Sequence, residues 1–370
     1  MILLILNKNI MSTVIITKRK NMNKSKIAFA AATALLLTSA YSHAQTTVGG
    51  NMRIGLKGTK AENNAIGSGT LFTKETQLNI ANKGSLNIAG VTYAAGFSIE
   101  NDGGDTGTTG THFENNYIDI INASSGTTIT FSSDHLKPSD VEFHDIIAGP
   151  QNLGHATAFA ASASGVGSDT FYNLVIAGKG KKEGFGAGIM QDIGTFGKFN
   201  FIYQPDTTVA LGDTGTASMS GGSTTNSFYD TSFRGSLGVK GLDIVLGMNR
   251  INGTGTEKDV KFDTQGIKYT LNQFTVGLQK ADGTYNTTGS TMKSKELGLA
   301  YAVTKDLSLG YSMIKVDESA TAPNEKSQGI TVGYSLGPVS VTAIAAKVDN
   351  ALGVAASDGK SFIVNLGTTF

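Results

Sequence analysis

The amino-acid sequence predicts an all-β protein, a 16-stranded antiparallel barrel that crosses a membrane. From residue 45 onward, apolar side chains recur at every second position over runs of about ten residues, the length that a tilted strand needs to cross the apolar layer. No window is periodic or apolar enough to cross as a helix. The connections alternate between short turns and long Gly/Thr/Asn/Asp-rich loops, which a membrane barrel requires and a soluble sandwich does not.

The composition fits this class. The 370 residues include 47 Gly, 5 Pro and no Cys, and the mean hydropathy is −0.05. These values match neither a helical membrane protein nor a disordered chain. The absence of Cys excludes disulfides, thiol catalysis and thiolate metal sites.

The N-terminal segment, residues 1–44, is typical of a signal peptide. A basic stretch follows Met22, the apolar run at 27–37 is too short to span a membrane, and small residues in 42–44 suit a signal peptidase. We expect translation to begin at Met22 and the mature chain at Gln45.

Cleavage would leave residues 45–370 as the barrel. It removes six basic residues and no acidic one, so the mature chain carries 24 basic and 29 acidic residues and a net charge of −5. This balance argues against a nucleic-acid partner.

Counting runs by the alternation of loop lengths gives sixteen strands, an even number as single-chain bacterial barrels have. They are predicted at residues 48–58, 75–82, 86–100, 116–122, 127–133, 184–192, 198–204, 231–240, 242–250, 261–271, 273–280, 294–303, 306–316, 327–336, 339–348 and 360–370. Residues 171–177 also alternate, but a further strand would make the count odd, so we place them in the connection 134–183.

The last predicted strand carries one apolar stripe, formed by Phe362, Val364, Leu366 and the terminal Phe370. With the signal peptide and the sixteen amphipathic strands, this stripe makes the chain resemble the general, trimeric porins of Gram-negative bacteria. In that family, by resemblance, the stripe is the sorting signal for the barrel-assembly machinery. Thr368 departs from the family pattern, which implies a weaker signal.

The resemblance further implies an outer-membrane location, contact with lipid, a homotrimer, and periplasmic chaperones during biogenesis. It also implies that the third loop, which follows the tight hairpin at 117–131, folds inward and narrows the channel. This loop would hold Asp134, Asp140, Glu142 and Asp145. Val141 and His144 depart from the family motif around Glu142.

Function follows from the size of the barrel. About sixteen strands leave an aqueous channel, through which small hydrophilic solutes and ions diffuse passively, sorted by charge and diameter. We expect the loop carboxylates to face inward-pointing basic residues at a constriction, although each could instead be a solvated polar residue at a rim. The basic residues are Arg53, Lys57, Lys198, Arg234 and Lys268. The net charge predicts a weak preference for cations.

Signals for catalysis and cofactors are poor, so we predict no enzyme, no cofactor and no metal. His135 and His144 lie near the loop aspartates, but their spacing matches no known metal motif. Two alternatives stay open, a closed structural barrel or adhesin and an outer-membrane hydrolase. Conductance in a planar bilayer would separate a porin from both.

Overall fold

The computed structural model describes residues 45–61, 69–86, 88–104, 111–132, 186–204, 227–251, 260–285, 290–318, 323–350, 355–356 and 358–370. Within these residues the chain forms sixteen strands. They are β1 (Gln45–Ala61), β2 (Gly69–Ser85), β3 (Val91–Gly104), β4 (His112–Asn122), β5 (Thr127–Ser132), β6 (Gly186–Asp192), β7 (Lys198–Gln204), β8 (Phe228–Gly235), β9 (Leu242–Ile251), β10 (Val260–Leu271), β11 (Phe274–Tyr285), β12 (Ser290–Ala302), β13 (Leu307–Glu318), β14 (Glu325–Leu336), β15 (Val339–Asp349) and β16 (Gly359–Thr369).

The strands form one closed antiparallel barrel in which sequence neighbours are also spatial neighbours. β1 pairs with β2 on one side and with β16 on the other, so the sheet has no open edge. Closure satisfies the backbone hydrogen bonds within the wall, which is the condition for crossing an apolar layer with strands. None of the described residues belongs to a helix long and apolar enough to span a membrane. The predicted fold class is confirmed.

The connections are sorted by length between the two ends of the barrel. Short turns such as 123–126, 272–273 and 337–338 all lie at one end, which we call the turn end. Each of these three turns contains a residue in the left-handed conformation: Gly126 (φ 71°), Asn272 (φ 53°) and Gly337 (φ 70°). The opposite end, which we call the loop end, holds the other connections.

One predicted loop is shorter than expected. The sequence predicts a long connection over residues 281–291, but β11 and β12 continue into it and only 286–289 join them. The extension follows from strand pairing, since Asp282 lies opposite Lys293 in register. Opposite charges that face each other across a strand pair favour that pairing.

Apolar side chains cover the outside of the barrel. Ile54, Leu299 and Leu366 are 44–50% exposed on the outer face. The alternate positions, such as Ser294, Ser312 and Asn365, are polar and buried on the inner face. A wall between lipid and a polar interior has this inverted pattern.

Most strands have other bounds than predicted, and β8 and β3 show the cause. β8 covers Phe228–Gly235 instead of 231–240, because residues 236–241 form a turn in which Leu237 adopts φ 50°. A Cβ on Gly235 would lie 2.1 Å from the Phe196 carbonyl oxygen, so the preceding turn packs directly against the end of this strand. β3 covers Val91–Gly104 instead of 86–100, because β2 extends to Ser85.

The seam between β1 and β16 closes the barrel. Gly50 and Phe370 exchange two backbone hydrogen bonds of 2.9 and 3.0 Å. A Cβ on Gly50 would lie 2.4 Å from the Gln77 carbonyl oxygen and 2.7 Å from the Phe370 ring. Along the same seam, a Cβ on Gly58 would lie 2.2 Å from the Phe362 ring. The two aromatic rings of the last strand therefore lie over two glycines of the first, an arrangement that supports glycines in sheets.

Candidate pore lining

A ladder of polar side chains lines the inner wall between β1 and β4. Arg53 Nη2 forms an ion pair with Glu75 Oε2, and the two residues lie directly opposite each other in register. One inward position closer to the turn end, Asn51 Nδ2 donates to Gln77 Oε1 at 2.9 Å. The Arg53 and Glu75 side chains are 33% and 29% exposed, so both are accessible from the lumen.

Lys57 follows Arg53 on the same face of β1. Its exposure is 4%, which makes it the least accessible of the predicted basic residues. The alternation of apolar residues therefore predicted correctly that Lys57 lies on the inner face of the wall. The alternation does not show how deeply the side chain is buried.

A second charged cluster lies on β8, β9 and β10. Arg234 Nη2 and Nε donate to the two carboxylate oxygens of Asp243 at 2.8 and 3.2 Å. Lys268 Nζ lies 3.4 Å from Asp243 Oδ2. Lys198 is directly opposite Arg234 in register. Two predicted basic residues thus contact one carboxylate that had not been predicted as a site residue, and Lys198 lies opposite one of them.

The two clusters lie on opposite walls of the barrel. In a ring of sixteen strands, seven strands lie between β1 and β9 in either direction. The Arg53–Glu75 pair on β1 and β2 and the Arg234–Asp243–Lys268 cluster therefore lie on opposite walls of the barrel, the cluster next to the turn end. In this arrangement two polar, charged surfaces flank the path of a solute.

Several inward carboxylates of the described strands had not been predicted as site residues. Three examples are Glu75, Asp243 and Asp119, the last of which accepts a hydrogen bond of 2.6 Å from Thr130 Oγ1. Each lies within a strand that the sequence predicted, at a position facing away from the apolar stripe. The period-two pattern could therefore have identified them as lumen-facing.

The predicted loop carboxylates Asp134, Asp140, Glu142 and Asp145 lie outside the described residues, as does the strand-like segment 171–177. The structure does describe where the connection starts and ends. Ser132 at the end of β5 pairs directly with Gly186 at the start of β6. The two ends of the connection over residues 133–185 are therefore neighbours in the wall.

The histidines considered for a metal site and the predicted assembly residues differ in what the structure describes. His135 and His144 lie outside the described residues, and among those described no group of His, Cys, Asp and Glu could hold a metal ion. The predicted assembly signal lies on the outer face of β16. Its exposures are 44% for Phe362, 40% for Val364, 50% for Leu366 and 66% for Phe370.

Comparison with known proteins identifies porins as the proteins that this chain resembles. A family model described as Gram-negative porin matches residues 31–352. No curated protein sequence matches the chain. The anion-selective porin from Comamonas acidovorans is similar in structure, with a TM-score of 0.62 and 12% identity, covering 88% of this chain and 100% of that one. A variant of the Rhodopseudomonas blastica porin has a TM-score of 0.59 and 16% identity over the same shares.

Proposed function

Because the chain belongs to the Gram-negative porin family, we propose that two opposed charge clusters and the third loop set the ion preference of its lumen. The chain forms an outer-membrane channel, with lipid outside the wall and small hydrophilic solutes inside it. A closed barrel of sixteen strands is wide enough for an aqueous path.

The observation that carries the proposal is that each basic cluster contains its own carboxylate. Glu75 neutralises Arg53, and Asp243 lies against both Arg234 and Lys268. Charges within about 4 Å of each other cancel at longer range, so the wall itself generates a weak field. The sign of the field in the lumen then depends on the loop carboxylates, which are Asp134, Asp140, Glu142 and Asp145. We therefore propose a weak preference for cations.

Ion selectivity in a planar bilayer tests this proposal. With a KCl gradient across the membrane, Arg53→Ala should shift the reversal potential toward cation selectivity, because Glu75 is left without its partner. Glu142→Ala should shift it the other way. Lys305→Ala is the control, since that side chain lies in a turn and is 89% exposed.

Two results would contradict the proposal. Unchanged reversal potentials in both Arg53→Ala and Glu142→Ala would remove the constriction assignment. A bilayer without conductance steps would contradict an open channel and favour the closed structural barrel or adhesin.

Assembly and processing belong to the same proposal. We expect a homotrimer and delivery by periplasmic chaperones to the barrel-assembly machinery, which would read Phe362, Val364, Leu366 and Phe370. We also expect residues 1–44 to be removed. Native mass spectrometry of the extracted protein tests the trimer, and N-terminal sequencing tests the cleavage site.

The family and the fold are those of a channel. That the chain has no catalytic role and needs no cofactor stays a prediction. The hydrolase alternative is tested by incubating the purified barrel with ester substrates, where turnover would contradict the prediction.

A further inference from the structure

A pocket of about 530 Å³ lies on the inner wall at the turn end of β6, β7 and β8. Its lining includes Asp192, Lys198, Asn200 and Arg234. In register, Lys198 lies between Asp192 and Arg234, so the three share the inner face, and Asn200 is the next inward residue on β7. The short turns of bacterial barrels face the periplasm, which places the pocket at the periplasmic mouth of the lumen.

The rim of the pocket is formed by two turns that pack against each other. Ser236 Oγ donates to the Thr195 carbonyl oxygen at 2.7 Å. The Leu237 backbone N–H donates to the Phe196 carbonyl oxygen at 3.0 Å. These contacts hold the rim in place, so the pocket is formed before a ligand arrives. Preformed pockets of about 300–1,000 Å³ are typical of sites for small molecules.

Lys198 supplies the pocket with a positive charge that the described residues do not neutralise. Arg234 donates from Nε and Nη2 to Asp243, which also lies 3.4 Å from Lys268 Nζ. Lys198 forms no ion pair with any described residue, although Asp192 lies opposite it in register. Its side chain is exposed. The Lys198 ammonium group is therefore accessible to an anionic solute.

The pocket and the adjoining charged cluster together have a net charge of plus one. Three basic residues stand against two carboxylates, and they are Lys198, Arg234, Lys268, Asp192 and Asp243. Asp230, two inward positions farther from the turn end on β8, is buried and does not line the pocket. A single excess positive charge favours a monoanion over a dianion or a neutral molecule.

Two oxygen atoms of the pocket can accept hydrogen bonds beside this charge. Asn200 is 4% exposed, and its Oδ1 atom has no hydrogen-bond partner in the described part of the chain. Asp192 Oδ1 accepts from the Gly194 backbone N–H at 2.8 Å, which leaves Oδ2 as the second acceptor. Buried acceptors are normally paired with a donor. A hydroxyl group of a solute is a donor that fits this position.

We propose that the pocket binds a hydroxylated carboxylate monoanion of the size of a sugar acid. The carboxylate contacts the Lys198 ammonium group in a charge-assisted hydrogen bond, and the hydroxyl groups donate to Asn200 and Asp192. A neutral sugar lacks the first contact, and a simple fatty acid lacks the second. This inference deepens the proposed function and rests on it only in taking the lumen as open to solutes.

Titration of the intact barrel in a neutral detergent tests the proposal. The probe is gluconate, and binding is measured at neutral pH by saturation-transfer NMR. Glucose lacks the carboxylate, hexanoate lacks the hydroxyl groups, and glucose 6-phosphate carries a dianionic group in place of the carboxylate. The unaltered barrel should bind gluconate more tightly than all three.

Two variants separate the contacts. Lys198→Gln should weaken gluconate binding by about tenfold to a hundredfold, because it removes a charged hydrogen bond. Asn200→Ala should weaken gluconate binding by about two- to tenfold and leave hexanoate binding unchanged, because only gluconate carries hydroxyl groups. Circular dichroism and heat-dependent electrophoretic mobility establish that each variant is folded.

Each variant has a matched control that should keep the affinity of the unaltered barrel. Lys305→Gln removes the same charge from a turn at the same end of the barrel, where the side chain is 89% exposed. Asn365→Ala removes an amide on the inner face of β16 whose Oδ1 atom also has no hydrogen-bond partner among the described residues. Neither residue lines the pocket.

Several outcomes would overturn the proposal. Equal affinity for gluconate, glucose and hexanoate would show that the pocket does not select this class of solute. Equal losses in Lys198→Gln and Lys305→Gln would show a general effect of net charge, and unchanged affinity in both Lys198→Gln and Asn200→Ala would place binding elsewhere. Tighter binding of glucose 6-phosphate would assign the pocket to phosphate.

Failure of this proposal and failure of the proposed function can be told apart, because binding in detergent does not require conduction. A barrel that conducts in a planar bilayer but does not bind gluconate overturns this proposal alone. A barrel that binds gluconate but gives no conductance steps contradicts the open channel and supports the pocket.

Discussion

Two sectors of the barrel wall differ in the side chains on their outer face. In the sector from β11 through β16 to β1, the outer face is apolar up to a row of lysines near the loop end, one on each strand. We call these residues the lysine belt: Lys280, Lys295, Lys315, Lys326, Lys347, Lys360 and Lys60. In the sector β5–β8, the described outward positions carry no charged side chain. Charge is therefore distributed unevenly over the outer face of the described wall.

Aromatic side chains also pack differently in the two sectors. In the uncharged sector they pair with each other across strands, as in Phe199–Phe233 with ring centroids 4.9 Å apart and Tyr203–Tyr229 at 6.4 Å. At the closure seam, Phe370 lies over Gly50 instead. The first arrangement stabilises by contact between rings, whereas the second depends on the absence of a side chain.

The largest effect is expected when a charge is placed in the uncharged sector. Phe201 lies at the middle of β7 and is 48% exposed on the outer face. Phe201→Lys should lower the free energy of unfolding by about 2–4 kcal/mol in phosphatidylcholine liposomes, because lysine is costly at the midplane of a bilayer. Denaturant titration followed by fluorescence or circular dichroism measures the change.

The matched control is Gln328→Lys on β14, which adds the same charge beside the lysine belt. Its expected cost is at most about 1 kcal/mol, since the penalty falls toward the membrane surface. Equal costs at the two positions would contradict the difference between the sectors.

A smaller effect is expected at the seam. Gly50→Ala should destabilise the barrel by about 1–3 kcal/mol, because the added methyl group meets the backbone of Gln77 and the Phe370 ring. Gly69→Ala is the control, since no atom lies within 4 Å of its Cβ position. The two variants are compared by denaturant titration in the same liposomes, and similar midpoints would show that the seam adapts without cost.

The smallest effect is expected at a lysine that lies opposite two others in register. In neutral detergent, Lys295→Gln should stabilise the barrel by about 0.2–1 kcal/mol, because it removes repulsion from Lys280 and Lys315. Thermal unfolding of the variant and of the unaltered barrel measures the change. Destabilisation would indicate that these lysines do not repel one another.

Much of the fold could be predicted from the sequence because alternation is a local property. Each strand shows which residues face lipid, as with Ile54 and Arg53 on β1, without knowledge of its neighbours. The even strand count and the short turns were predicted in the same way. The errors lie at strand ends, where Leu237 belongs to a turn and residues 281–285 to a strand, because pairing with the neighbouring strand decides where a strand stops.

Contacts between side chains on different strands could not be predicted, because the alternation within one strand does not show its register with the next strand. Lys268 and Asp243 are 25 positions apart in the chain and 3.4 Å apart in the barrel. The same holds for the lysine belt. Each of its lysines, considered alone in the sequence, indicates only a solvated residue near a strand end.

The sequence by itself determined the class of protein, the number of strands and the side of the wall on which each residue lies, since these depend on periodicity and turn chemistry. Only the tertiary structure decided which charges meet, which walls face each other across the lumen and which lysines line up at the membrane surface. Those properties depend on hydrogen-bond register and on closure between the first and last strands, which join residues distant in the chain.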